Sequence, residues 1–283
     1  MKILITGING QVGHALMQYL TGHELIGLAR QDCDLANLDQ IKNVIDQHQP
    51  ELIINPAAYT KVDQAEDEPK LAFQINRDAP KVMAEKAREY NIPLIHFSTD
   101  YVFDGEKKEA YVETDPTNPL GIYGQSKLAG EEAIQEVGGR IYIFRTSWVY
   151  SNIGHNFYLT MKRLSTERDE LKVVADQLGV PTSNQFIAEQ MKTIIPLLDE
   201  NNTGIYHLVP DGSCSWHEFT KTIISQANPD FNLEKLHAIQ THEFPTKTKR
   251  PKNSILNNAK IKQSFNLTLN NWQAELGKVI DEA

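Results

Sequence analysis

Along the first half of the chain, short aliphatic runs alternate with longer stretches of helical periodicity. Lys2-Ile-Leu-Ile-Thr6 is too short for a buried helix and reads as a strand. The glycine-rich segment 7–13 follows, and then the amphipathic stretch 14–20. The rhythm continues with a strand over residues 23–29, a helix near Leu38–His48 and a buried strand at Leu52–Asn55. A long helical region covers residues 68–90, with its break expected at Pro80. A strand at 94–97, a helix from Tyr123 to about Val137 and a strand at 141–144 complete the series. Strands alternating with helices predict an α/β fold, a doubly wound parallel sheet covered on both faces.

Beyond Tyr150 the rhythm loosens. Residues 171–174 read as a strand, 185–198 as a helix and 204–209 as another strand. A helix over 215–227 opens at Ser215 with Glu218 three positions on, the pattern of a capping box. The expected organisation is a first domain over residues 1–150 and a smaller C-terminal lobe over 151–283, with 171–198 partly returning to the first.

The first turn carries chemistry. Gly7-Ile-Asn-Gly10-Gln11-Val12-Gly13 lies between strand and helix. Glycines there admit close backbone approach, and the helix terminus offers free N–H groups and a positive dipole, which suits a dinucleotide pyrophosphate. The sheet is therefore expected to be Rossmann-type. The spacing is Gly-x-x-Gly-x-x-Gly rather than the usual Gly-x-Gly-x-x-Gly. A plain turn is the alternative, and the position between strand and helix argues against it.

Tyr123 and Lys127 are four residues apart at the start of a helix, so they share one face. An ammonium beside a phenol of ordinary pKa about 10 favours the phenolate, so Tyr123 is expected to exchange protons near neutral pH. Alone, such a pair is more readily a chance pairing on a surface helix. Ser98 and Thr99 end an apolar strand about 25 positions earlier. Ligands of open parallel sheets sit beyond the strands' carboxyl ends, so Thr99 is placed to hydrogen-bond a substrate oxygen that Tyr123 also contacts. Hydroxyls that merely satisfy a turn are the plainer account.

With these motifs in hand, the chain resembles the extended short-chain dehydrogenase/reductase superfamily and, within it, the dTDP-4-dehydrorhamnose reductase family. The narrower resemblance rests on segments 55–66, 98–103, 123–131 and 144–150. It continues through Asn156-Phe157 and segments 174–182, 206–209 and 250–254. It implies reduction of the C4 ketone of a dTDP-linked 4-keto-6-deoxysugar by NADPH, with Tyr123 as proton donor, Thr99 bonded to the ketone oxygen and Lys127 on the nicotinamide ribose. It also implies that residues 151–283 form a substrate-binding lobe. Other nucleotide-sugar reductases and epimerases share the framework, as does the non-catalytic, nucleotide-binding β subunit of methionine adenosyltransferase.

The cofactor's adenosine end is read from the second strand. Arg30 closes it where NAD enzymes place an acidic residue; it either pairs with a 2′-phosphate, favouring NADPH over NADH, or points into water. Asp34 and Leu35 are expected to border the adenine. By resemblance Ala58, Tyr59 and Thr60 line the ribose and nicotinamide side, with Phe97 close by. Asp100 and Trp148 are implied as substrate contacts, Trp148 being equally readable as core. Arg250, in a basic stretch with Lys247 and Lys249, is expected to meet the diphosphate or to sit in a solvated loop.

Composition adds exclusions. The net charge of −9 argues against general nucleic-acid affinity, and no apolar run approaches a membrane span of ~20 residues. The opening segment is no signal peptide, and the two cysteines, Cys33 and Cys214, read as reduced thiols, so a cytoplasmic protein is expected. The nine histidines lack paired zinc-site spacing. Some reductases of this family are described as magnesium-linked dimers using two glutamates; Ala15 and Gln185 stand at the matching places, so no metal and a monomer or weak homodimer are expected.

Overall fold

The computed structural model describes residues 1–282. Its first half runs β1 (Lys2–Thr6), α1 (Gln11–Tyr19), β2 (Glu24–Leu28), α2 (Leu38–His48), β3 (Leu52–Asn55), α3 (Val62–Ala65), α4 (Pro69–Phe73) and α5 (Ala79–Glu89). β4 (Leu94–Thr99), α6 (Ile122–Val137), β5 (Ile141–Thr146) and β6 (Val149–Tyr150) follow. Then come α7 (Phe157–Glu167), β7 (Leu171–Val174), β8 (Leu178–Gly179), β9 (Thr182–Ser183), α8 (Asn184–Ile194) and β10 (Gly204–His207). β11 (Cys214–Ser215), α9 (Trp216–Ala227), β12 (Leu236–Ile239), α10 (Ala259–Phe265) and α11 (Trp272–Asp281) complete the chain.

Six strands form the central sheet in the order β10-β5-β4-β3-β1-β2, every pair parallel. Covered on both faces, the inner strands are near-continuous apolar runs; Leu52, Ile53 and Ile54 are all fully buried. Leu16 of α1, Phe186 and Met191 of α8 and Phe265 of α10 pack on one face. Ile41 of α2, Met83 of α5 and Ile134 of α6 pack on the other. The winding reverses between β1 and β3, which opens a crevice at their carboxyl ends.

Two expectations are corrected, one about residues 204–209 and one about Pro80. Residues 204–209 belong to the central sheet rather than the lobe: β10 extends it beside β5, where Tyr206 stacks on Phe144. Within 171–198, β7 pairs with β12 in the lobe, and α8 packs against the helix α1. The break in the 68–90 helical region is a π-helical turn, Gln74–Asp78, not Pro80. Pro80 is the second residue of α5, directly after that turn.

The lobe has its own core, in which Tyr158 of α7, Phe219 of α9 and Leu276 of α11 meet. Ser215 and Glu218 cap α9 reciprocally, as their spacing predicts. Among the described residues, no helix is long and apolar enough to cross a membrane.

Candidate active site

The turn after β1 is built on two glycines. Gly7 has φ +63, and its carbonyl accepts the Gly10 N–H at 2.9 Å. A Cβ on Gly13 would lie 2.3 Å from that same carbonyl oxygen, so α1 can start this close to β1 only without a side chain there. Gly10 is the N-cap of α1; no side chain caps it and no acidic residue occupies its first turn. The first N–H groups and the positive end of the helix dipole are thus left for an anion.

A cleft of about 450 Å³ opens beside this turn. Gly7, Arg30, Asp34, Leu35, Ala58, Tyr59 and Thr60 line it, which brings together much of the set expected to hold a nucleotide. Arg30 is exposed, with Asp34 3.9 Å from its Nε. The backbone of Tyr59 is fixed by Asn76, whose Oδ1 accepts the Tyr59 N–H at 2.8 Å and whose Nδ2 donates to the Tyr59 carbonyl and to Ser126. Asn76 lies in the π-helical turn, and no sequence pattern pointed to it. The Gln11 side chain faces elsewhere: its Oε1 accepts from Ser151 and Asn156, tying α1 to the loop after β6. Its backbone N–H is what remains for a phosphate.

Thr99 ends β4, and Tyr123 and Lys127 occupy successive turns at the start of α6. Glu66 caps α6 from a distance, accepting the Ile122 N–H at 2.9 Å. Thr99 Oγ1 donates to Asp100 Oδ1 at 3.0 Å and accepts the Tyr101 N–H at 3.2 Å. The Tyr101 and Tyr123 rings meet edge to face, with centroids 5.8 Å apart. Lys127 is buried; its Nζ donates to the Phe97 carbonyl at 2.6 Å and sits 3.2 Å from His96 Nε2.

That placement overturns the expected acidic phenol. Loss of water around its hydroxyl pushes Tyr123 up to about 12, with Thr99 acting downward and the Asp100 charge upward. The Lys127 Nζ is turned to the Phe97 carbonyl and His96 instead. Burial lowers Lys127 to about 8 against the upward pull of Glu131, which is itself held bidentately by Arg145. Asp100 is raised to about 6, chiefly by burial, and its Oδ2 has no partner.

A second cavity, about 760 Å³, lies between the Tyr101 turn and the lobe. Arg250, Tyr101, Phe157 and Trp216 are among its lining residues. Arg250 Nη2 donates to Asp63 Oδ2 at 2.8 Å, while Nη1 is unpaired. Trp148 and Asp100 do not line this cavity. Trp148 has φ +47, in the left-handed region that a bulky residue rarely takes, and stacks on Trp216 with centroids 3.5 Å apart. Trp216 is therefore the indole that faces the cavity, with Trp148 behind it; sequence reasoning missed this. Ala15 is in the core and Gln185 bonds Glu282. Among the described residues, no three His, Cys, Asp or Glu side chains are grouped to hold a metal.

Comparison with known proteins gives the chain's family. The family model of the RmlD substrate binding domain matches residues 1–283. A dTDP-4-dehydrorhamnose reductase of Sinorhizobium fredii is 41% identical over 286 residues, spanning 99% of this chain and 97% of that protein. The crystal structure of a dTDP-4-dehydrorhamnose reductase from Clostridium acetobutylicum superposes with a TM-score of 0.94 at 38% identity, covering 100% of this chain and 99% of that one. A dTDP-4-dehydrorhamnose reductase from Bacillus anthracis in complex with NADP gives 0.93 at 38% identity, with 100% and 99% covered. By sequence over its full length and by fold, this chain belongs to the RmlD substrate binding domain family.

Proposed function

We propose that this chain reduces the C4 ketone of dTDP-4-dehydro-L-rhamnose to dTDP-L-rhamnose, with NADPH as reductant. The observation that carries this reading is the set Thr99, Tyr123 and Lys127 at the carboxyl end of β4, beside a glycine turn with the open backbone a dinucleotide needs. NADPH, when bound, supplies the hydride to C4.

The protein's own groups handle the oxygen. Tyr123, held up at about 12, keeps its proton throughout the neutral range and gives it to the C4 oxygen as charge develops there. In the free protein Thr99 spends its proton on Asp100; turned toward the ketone, it bonds the same oxygen as Tyr123. Lys127 anchors the nicotinamide ribose, braced by the Phe97 carbonyl. Arg250 exchanges Asp63 for the substrate diphosphate, and its unpaired Nη1 is a donor already free for it. Trp216 and Phe157 wall the nucleotide's cavity. Arg30, at the adenosine end, favours the 2′-phosphate of NADPH. We read the protein as a cytoplasmic monomer or weak homodimer, Ala15 and Gln185 standing where metal-linked dimers of the family place glutamates.

Loss of NADPH absorbance on adding dTDP-4-dehydro-L-rhamnose tests the reaction, with NADH run alongside. Stoichiometric consumption is expected; a catalytic trace of cofactor sufficing for turnover would instead point to an epimerase. Two further outcomes follow. Because Lys127 is charged below about 8 and neutral above it, kcat/KM is expected to fall as pH rises through about 8. A rate flat to pH 10 would remove Lys127's charge from the mechanism. Gly13→Ala, forced against the Gly7 carbonyl, is expected to cost about 1–3 kcal/mol of stability and to weaken NADPH binding, read by thermal melting and fluorescence titration.

A further inference from the structure

Thr6 and Asn55, the last residues of β1 and β3, and His96, in the middle of β4, form a polar row across the central sheet. Thr6, Asn55 and His96 lie side by side: Asn55 is in register with His96, and Ile5 with Ile54, one step before Thr6 and Asn55. Thr6 is 2% exposed, and Asn55 and His96 are fully buried. Thr6 Oγ1 lies 2.6 Å from Asn55 Oδ1, Asn55 Nδ2 lies 3.1 Å from His96 Nδ1, and His96 Nε2 lies 3.2 Å from Lys127 Nζ. The far end of the row, Thr6, precedes Gly7 and lines the nucleotide cleft.

Burial first, and the neighbouring Lys127 second, hold His96 neutral, its pKa well below the usual value. A neutral imidazole has one N–H and one lone pair, so the row has two self-consistent directions. When Lys127 is an ammonium, it donates to Nε2; Nδ1–H then donates to the Asn55 carbonyl oxygen, and the amide turns its N–H to Thr6. When Lys127 is a neutral amine, Nε2–H donates to it and every bond reverses. The Thr6-to-Asn55 bond as it stands is that second direction.

We infer that His96 is a positioning residue for Lys127, fixing its Nζ against the Phe97 carbonyl and, backed by Asn55 and Thr6, setting the pH at which it loses its charge. This rests on Lys127 as the ribose anchor of the proposed function. The other ionisable groups around Lys127 are Tyr123 and Glu131 on α6, Arg145 on β5 holding Glu131, and Asp100 beyond β4. Among these side chains only His96 is bonded to Nζ.

The test is the dissociation constant for NADPH as a function of pH, measured by fluorescence on the wild type, His96→Leu and His96→Gln. Wild-type binding is expected to weaken as pH rises through about 8. In His96→Leu the ammonium loses an acceptor, so the midpoint falls by about one pH unit. Gln places an acceptor where Nε2 was and restores the midpoint. If His96→Leu does not fold, His96→Asn, polar but too short to reach Lys127, must show the same displacement. A midpoint unmoved in Leu or Asn, or unrestored in Gln, overturns the inference while leaving ketone reduction to its own absorbance assay. A wild type that binds no NADPH overturns both.

Discussion

Tyr123→Phe is expected to lower kcat by about 10²–10⁴-fold, the usual worth of a positioned proton donor. The phenol holds its proton because burial and the Asp100 charge both oppose ionisation. Removing the hydroxyl leaves the ketone oxygen with Thr99 alone as it gains charge, which affects the transition state more than the ground state. NADPH affinity should be little changed, because Lys127 and the glycine turn are untouched. Single-turnover rates and fluorescence titration separate the two effects. Retained turnover in this variant would assign the proton to another group.

The largest stability effect is expected at the Arg145–Glu131 pair. Its closest contact is 2.6 Å and its side chains are 3% and 1% exposed, one from β5 and one from α6. Arg145→Met strips the counter-charge from a buried carboxylate and should cost about 3–5 kcal/mol in chemical denaturation. The double variant Arg145→Met, Glu131→Leu removes both charges and should recover most of that loss, because an apolar pair of similar volume incurs no desolvation cost. If the double variant were as unstable as the single, the Glu131 charge would not be the cause. Glu131 also lies one turn beyond Lys127 and raises its proton affinity, so the pair bears on the site as well as on the fold.

The features legible in the sequence were those set by local pattern. The glycine turn lies between its strand and helix, Ser215 and Glu218 cap their helix, and Thr99 ends β4. Four-residue spacing put Tyr123 and Lys127 on adjacent turns, but spacing says nothing about what else an ammonium will meet. Lys127 finds a carbonyl and an imidazole on β4, contacts made across about 30 residues, so the expected acid phenol did not follow. The same reason hides Asn76 behind Tyr59, and Trp216 in front of Trp148: each pairing joins segments far apart in the chain. Strand β10 was visible as a strand; its place beside β5 depends on Tyr206 meeting Phe144, which periodicity cannot report.

The most direct test of hydride delivery to a ketone held by Tyr123 is a reaction run with NADPH deuterated at the transferring position of the nicotinamide. The account predicts one deuterium at C4 of the rhamnose product, seen by NMR, for each NADPH oxidised. Product without deuterium at C4, or deuterium at any other sugar carbon, would contradict it.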